Sequence, residues 1–146
     1  MGAAEELRAM AQRGELDPVE ARPAAAEELL ADARRALVTC RAIADSDPKS
    51  GLLLAWDGVA FPLLVAALNL AGYRVTNRMG HHRTAVDAGR LLMNADALLS
   101  RIGAIRRSRD RAMYENDPPP TDELREVLDD CEQLSELVER AIMRAT

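Results

Sequence analysis

Four arginines fall within six positions in the run Ile105-Arg106-Arg107-Ser108-Arg109-Asp110-Arg111-Ala112-Met113-Tyr114. A guanidinium is permanently charged and planar, and its forked donors match phosphate and carboxylate oxygens. Along a helix the apolar positions Leu98, Ile102 and Ile105 lead to Arg109 and then Ala112, so one arginine occupies a rung where the pattern asks for a hydrophobe. Burying that charge requires a partner or a purpose. Asp57, an acid inside an otherwise apolar segment, is the natural counter-ion, its alternative being a place on a solvated strip of its helix. Arg107 and Tyr114 are seven apart and share a helix face, as do Arg111 and Tyr114 at three apart; Arg109 and Tyr114 converge only where the helix loosens near Asn116.

The adjacent His81 and His82 add imidazoles. Neighbours on a helix diverge by about 100°, and no further Cys or His stands at ligand spacing, so the pair reads as a capping or loop element or as part of an organic site rather than a metal centre. No Ser-His-Asp arrangement is suggested, Gly80 and Gly89 are too isolated for a phosphate loop, and no cofactor is implied. The candidate ligand-binding set is therefore Arg106, Arg107, Arg109, Tyr114, Asp57, His81 and His82, with Arg109 and Tyr114 as the catalytic candidates.

Charge is polarised along the chain. From Tyr73 to Arg111 nine arginines face three acids, a net of +6. The whole chain carries −5, so the remainder holds −11. Such a stripe fits phosphates or an acidic partner, unless it is simply a solvated face. Lys49 is the lone lysine beside eighteen arginines, a bias that tracks base composition, so arginine number alone is not chemistry.

These residues need helices to position them. Low aromatic content and abundant Ala and Leu favour an all-α chain, and its 146 residues suffice for one core. Residues 1–22 read as a peripheral segment with a short acidic helix over 3–13, closed by Gly14 and the Asp17-Pro18 turn. Residues 23–146 read as the helical domain. Pro23 opens a helix to about Ala44. Asp47 and Pro48 cap and start a second, over 48–71, with Pro62 kinking it and Gly72 ending it. Residues 73–82 form a basic loop, and helices follow over 83–93, 95–115 (capped by Asn94 or Asp96) and from Thr121 as cap. The architecture is an up-and-down bundle of about five helices, with no strand pattern. The 48–71 helix is apolar on nearly every side, more than so small a chain can surround, which predicts a homodimer. Cys40 and Cys131 lie on apolar stripes as buried free thiols. No run of about 18 consecutive apolar residues and no signal peptide is evident, so a cytoplasmic protein without membrane contact is expected.

Three pieces together resemble the HEPN domain family, specifically its small stand-alone bacterial members. Leu53-Leu54-Ala55-Trp56-Asp57-Gly58-Val59-Ala60 is similar to the family's acid-bearing second helix. Ala71-Gly72-Tyr73-Arg74-Val75 followed by Gly80-His81-His82 resembles its glycine-tyrosine-arginine loop and Gly-x-His turn, and residues 106–114 resemble its arginine motif. The likeness spans residues 25–142. It implies a helical bundle that dimerises so that the motif helices of two subunits line a shared cleft. Active HEPN ribonucleases carry arginine, a polar residue, three more residues and histidine; here Arg109, Asp110 and Tyr114 stand in those places. Tyrosine, with a pKa near 10, is a poor base at neutral pH. The resemblance therefore implies a catalytically degenerate module binding RNA, a nucleotide or a partner protein in a toxin–antitoxin or defence system, with a nucleotidyltransferase-type antitoxin as the expected partner. The alternative it implies is a metal-independent ribonuclease in which Arg109 stabilises charge and Tyr114, His81 or His82 moves the proton.

Overall fold

Asp47 accepts a hydrogen bond from the Ser50 backbone N–H at 3.2 Å, and Pro48 follows with its φ already helical, so the most apolar stretch of the chain begins as an ordinary capped helix. In the computed structural model, which describes residues 2–146, this helix is α3 (Pro48–Leu70). Before it come α1 (Ala3–Gln12), β1 (Leu16–Pro18) and α2 (Pro23–Ile43). After it come β2 (Tyr73–Val75), α4 (His81–Leu92), α5 (Asp96–Glu115) and α6 (Thr121–Ala145). The chain is all-α apart from one small ribbon.

α3 is the axis of the bundle. α2 and α6 pack against it on one side, and α4 and α5 on the other. Its residues Leu52, Trp56, Val59, Leu63 and Leu64 are fully covered, Leu54, Phe61 and Leu70 are partly covered, and Asp57 is its one exposed residue. The segment is long and apolar enough, by length and composition, to cross a bilayer, with mean hydropathy 1.9, but most of it is buried inside the bundle. Four neighbouring helices of the same chain supply most of this cover.

Pro62 does not simply kink α3. The turn before it, Ala55–Ala60, widens into a π-helix, in which the Phe61 N–H reaches the Trp56 carbonyl. A proline ring presses on the carbonyl four residues back, here Gly58, and offers no N–H to it; a wider turn relieves both problems. Gly58 also lets α2 approach, since a Cβ there would lie 3.3 Å from the Ala36 methyl.

The ribbon is the main departure from the sequence expectation. β1 pairs antiparallel with β2, Leu16 opposite Val75 and Pro18 opposite Tyr73. Three-residue strands carry too little alternation to be seen in a sequence, and their pairing spans more than fifty positions. The ribbon places Leu16 beside Leu7, Met10, Leu68 and Ala88 in a small second core, which packs the first helix onto the bundle. Basic loop residues 73–75 are therefore strand, and the following helix starts at His81 rather than 83, with Gly80 at φ +84° before it. Two expected side-chain caps are absent: Ala95 precedes α5 and Pro120 precedes α6, with Thr121 already the first helical residue. The described residues thus hold six helices, the short N-terminal one and five over residues 23–146.

The acidic excess outside the middle third meets arginine on α2. Arg34 pairs with Glu139 at 2.7 Å, and Arg41 with Glu132 at 2.7 Å and Asp129 at 3.2 Å, tying α2 to α6. These pairs are exposed, each worth at most about 1 kcal/mol. Cys40 and Cys131 are both fully buried and unbridged.

Candidate functional site

The π turn aims Asp57 out of α3 towards α5. There Arg109 Nη2 donates to Asp57 Oδ2 at 3.2 Å, and Nη1 donates to Asp110 Oδ1 at 3.2 Å. The Arg109 side chain is only 14% exposed, whereas Asp57 retains 47%. The misplaced guanidinium is thus covered along its stem and balanced by two carboxylates at its tip. Burial disfavours its charge, but the bonds and fields of Asp57 and Asp110 outweigh that, and its pKa is raised. Its Nε is buried and has no hydrogen-bond partner among the described residues.

The first turn of α4 faces the same place. His81 Nδ1 lies 2.9 Å from the Arg78 carbonyl oxygen. A carbonyl only accepts, so this nitrogen carries a hydrogen, and in the neutral ring Nε2 keeps its lone pair. His82 is the reverse. The Trp56 indole N–H donates to His82 Nδ1 at 3.0 Å, and because an indole nitrogen cannot accept, the neutral ring holds its hydrogen on Nε2. Burial pushes the His82 pKa down, and the fields of His81 and Arg109 push it further, against a weaker pull from Asp57 and Asp110. Two adjacent imidazoles therefore present opposite chemistry at Nε2: an acceptor on His81 and a donor on His82.

The only tryptophan and the only phenylalanine of the chain both pack on this pair. Phe61 lies 4.6 Å from His82 and 5.8 Å from His81 between ring centroids, and Trp56 lies 5.5 Å from His82. His81 and His82 are themselves 4.4 Å apart, edge to face. Rings locked by such packing hold their nitrogens in fixed directions.

Asn77, Arg78, Met79, Gly80, His81, His82, Arg109, Asp110 and Tyr114 line one open cleft of about 540 Å³. Of the residues singled out from the sequence, His81, His82, Arg109 and Tyr114 meet there, with Asp57 joined through Arg109. Tyr114 stands at the rim, 77% exposed. Arg106 lies one turn back, paired with Asp110 at 3.4 Å, and Arg107 points elsewhere, towards α4. Sequence reasoning missed Trp56 as the partner of His82 and Arg78 as the partner of His81. A lone tryptophan in an apolar run reads as core, and only the fold shows where its N–H points. A neighbouring cleft of about 570 Å³ lies across the Arg78–His81 turn, but its charges are internally matched, Arg13 by Glu15 and Arg83 by Asp87.

No family model, curated protein or solved structure matches this chain.

Proposed function

We propose that this is a HEPN-like helical protein whose cleft around Arg109 holds a phosphate-bearing ligand, RNA or a nucleotide, as a catalytically degenerate binding module of a toxin–antitoxin or defence system. The observation that carries this reading is the convergence, from two separate helices, of Arg109, the two histidines and Tyr114 on one cleft. The cleft supplies donors to an anion: the His82 Nε2–H, the Tyr114 hydroxyl and the guanidinium of Arg78, which reaches no carboxylate. Arg109 is committed to Asp57 and Asp110, which suits an anchor that a phosphate joins rather than a free electrophile. Pairing into a homodimer and a nucleotidyltransferase-type antitoxin partner belong to the same proposal and rest on the HEPN resemblance. Equilibrium titration of 5′-UMP and of a short oligouridylate into wild type, Arg109→Met and Tyr114→Phe tests it. Binding by wild type, weakened at least tenfold in Arg109→Met, is the expected result; no binding of either probe by folded wild type overturns it.

A second reading, metal-independent ribonuclease, is favoured by one specific observation, the lone pair on His81 Nε2. In it His81 Nε2 takes the proton of a ribose 2′-hydroxyl, and that oxygen forms a bond to phosphorus as the phosphorus–O5′ bond breaks. The departing O5′ takes a proton from the Tyr114 hydroxyl or from water. The charge developing on the phosphoryl oxygens faces the His82 Nε2–H. Incubation with total RNA separates the two readings: cleavage by wild type that is lost in His81→Ala establishes the second and ends the claim of degeneracy.

A further inference from the structure

Besides Arg78 of the cleft, three arginines of the basic third have no anion to meet among the described residues. Ten of the eighteen arginines reach a carboxylate. Arg90, Arg107 and Arg111 do not, among the described residues, although they lie on adjoining helices. Two of them are also held close together. α4 and α5 cross at Gly103, where a Cβ would sit 3.5 Å from Val86 Cγ1, 3.7 Å from Arg107 Nη1 and 4.0 Å from Arg90 Nη2. The two guanidinium tips therefore lie within 7.7 Å of each other, from different helices, over a notch that exists because residue 103 has no side chain. Like charges at that separation repel, and two long side chains in water are free to part. An anion with two oxygens turns the repulsion into a bridge, one fork on each oxygen.

The surface beyond this pair leads into the cleft. Arg107, Arg111 and Tyr114 recur at intervals of four and three on α5, one helical face. Seven residues advance about 10 Å along the axis, from the paired arginines to the tyrosine at the rim. Tyr114 is 77% exposed, a flat ring open to solvent. Alternating cationic and aromatic groups along a groove are what a single nucleic-acid strand requires: guanidinium for backbone phosphate, a ring face for a base.

We propose that Arg90 and Arg107 form a second phosphate seat outside the cleft, which takes a backbone phosphate of single-stranded RNA whose neighbouring base stacks on Tyr114. This rests on the reading of the cleft as a nucleotide site, but the two are separable. Fluorescence anisotropy with a labelled 12-nucleotide oligouridylate, run beside calorimetric titration of 5′-UMP, tests it on wild type, Arg90→Gln/Arg107→Gln, the charge-keeping Arg90→Lys/Arg107→Lys and Arg109→Met. The glutamine pair is expected to weaken the 12-mer at least fivefold and to flatten the dependence of log K on log salt by about 0.7, one phosphate of a single strand. UMP affinity stays within twofold, and the lysine pair keeps the wild-type salt slope. An unchanged 12-mer affinity and slope in the glutamine pair, with Arg109→Met impaired, overturns the seat alone. The reverse pattern, 12-mer binding that depends on the pair but not on Arg109, overturns the cleft reading and leaves the seat. Failure of wild type to bind the 12-mer overturns the seat, failure to bind UMP as well overturns both readings, and binding only to an acidic protein in their place identifies the stripe as a protein-docking face.

Discussion

Replacing Trp56 by Phe isolates the one bond that sets the His82 tautomer. The Trp56 indole is fully buried and gives its N–H to His82 Nδ1 at 3.0 Å. Phenylalanine keeps most of the ring but removes the donor. The lost hydrogen bond is worth about 0.5–1.5 kcal/mol. A buried Trp→Ala change costs about 3–5 kcal/mol, and retaining six ring carbons leaves about 1–2 of that. The variant should thus be destabilised by about 2–3 kcal/mol, a fall of about 7–10 °C in Tm for a chain of this length. Because this is the only tryptophan, the melts are followed by circular dichroism rather than fluorescence.

The sharper consequence concerns pH. Burial, aided by His81 and Arg109, holds His82 neutral in the folded state, whereas the unfolded chain protonates it at the ordinary value near 6.5. Below that pH the unfolded state binds more protons, so this contribution to stability is complete above about pH 7 and is lost as pH falls from about 6.5 through the depressed folded value. In Trp56→Phe the imidazole is less buried and Nδ1 is free to take a proton, so the loss of stability between pH 7.5 and 5 should be smaller than in wild type. Long-range proton–nitrogen spectra report the rings directly: hydrogen on Nε2 for His82 and on Nδ1 for His81 in wild type, with only His82 altered in the variant. Identical tautomers for the two wild-type histidines, or parallel pH–stability curves for the two proteins, would refute the reasoning.

Two further outcomes follow from the packing. Burial pushes the Cys40 thiol up to about 11 and the Cys131 thiol higher still, so neither should react with a maleimide or a disulfide reagent at pH 8 while the chain is folded, and both should react after unfolding in urea. Rapid labelling of the native protein contradicts that placement. Gly89→Ala introduces a Cβ 2.8 Å from Leu64 Cδ2 and 3.2 Å from Leu99 Cδ1, both methyls of fully buried residues with nowhere to go. Overpacking of this kind costs about 1–3 kcal/mol, readable as a lower urea midpoint with an unchanged m-value, and a midpoint equal to wild type shows that α4 can shift.

The features of the site legible in the sequence were those written in local chemistry. Arg109 broke an apolar ladder that Ile105 and Ala112 otherwise continue, and the structure indeed covers its stem. Asp57 stood out among hydrophobes for the same reason and proves to be its counter-ion. Helix positions were readable because an amphipathic stripe repeats within each turn, and Asp47-Pro48 and Gly72 marked ends through their own backbone preferences. The caps expected of Asp96 and Thr121 failed by one residue, the scale at which helix ends are set by the packing of the incoming chain.

The sequence by itself determined an all-α chain, the order of its long helices, and the identity of the charges that must be neutralised, because these follow from periodicity and from the cost of burying an unpaired ion. Only the tertiary structure decided what those groups face. The π turn that swings Asp57 towards α5, the ribbon joining residues 16–18 to 73–75, and the crossing at Gly103 all depend on contacts between distant segments, which no local pattern encodes. The two histidines make the point most plainly. They are adjacent and chemically identical in the sequence, and their opposite roles come from the Arg78 carbonyl on one side and the Trp56 N–H on the other.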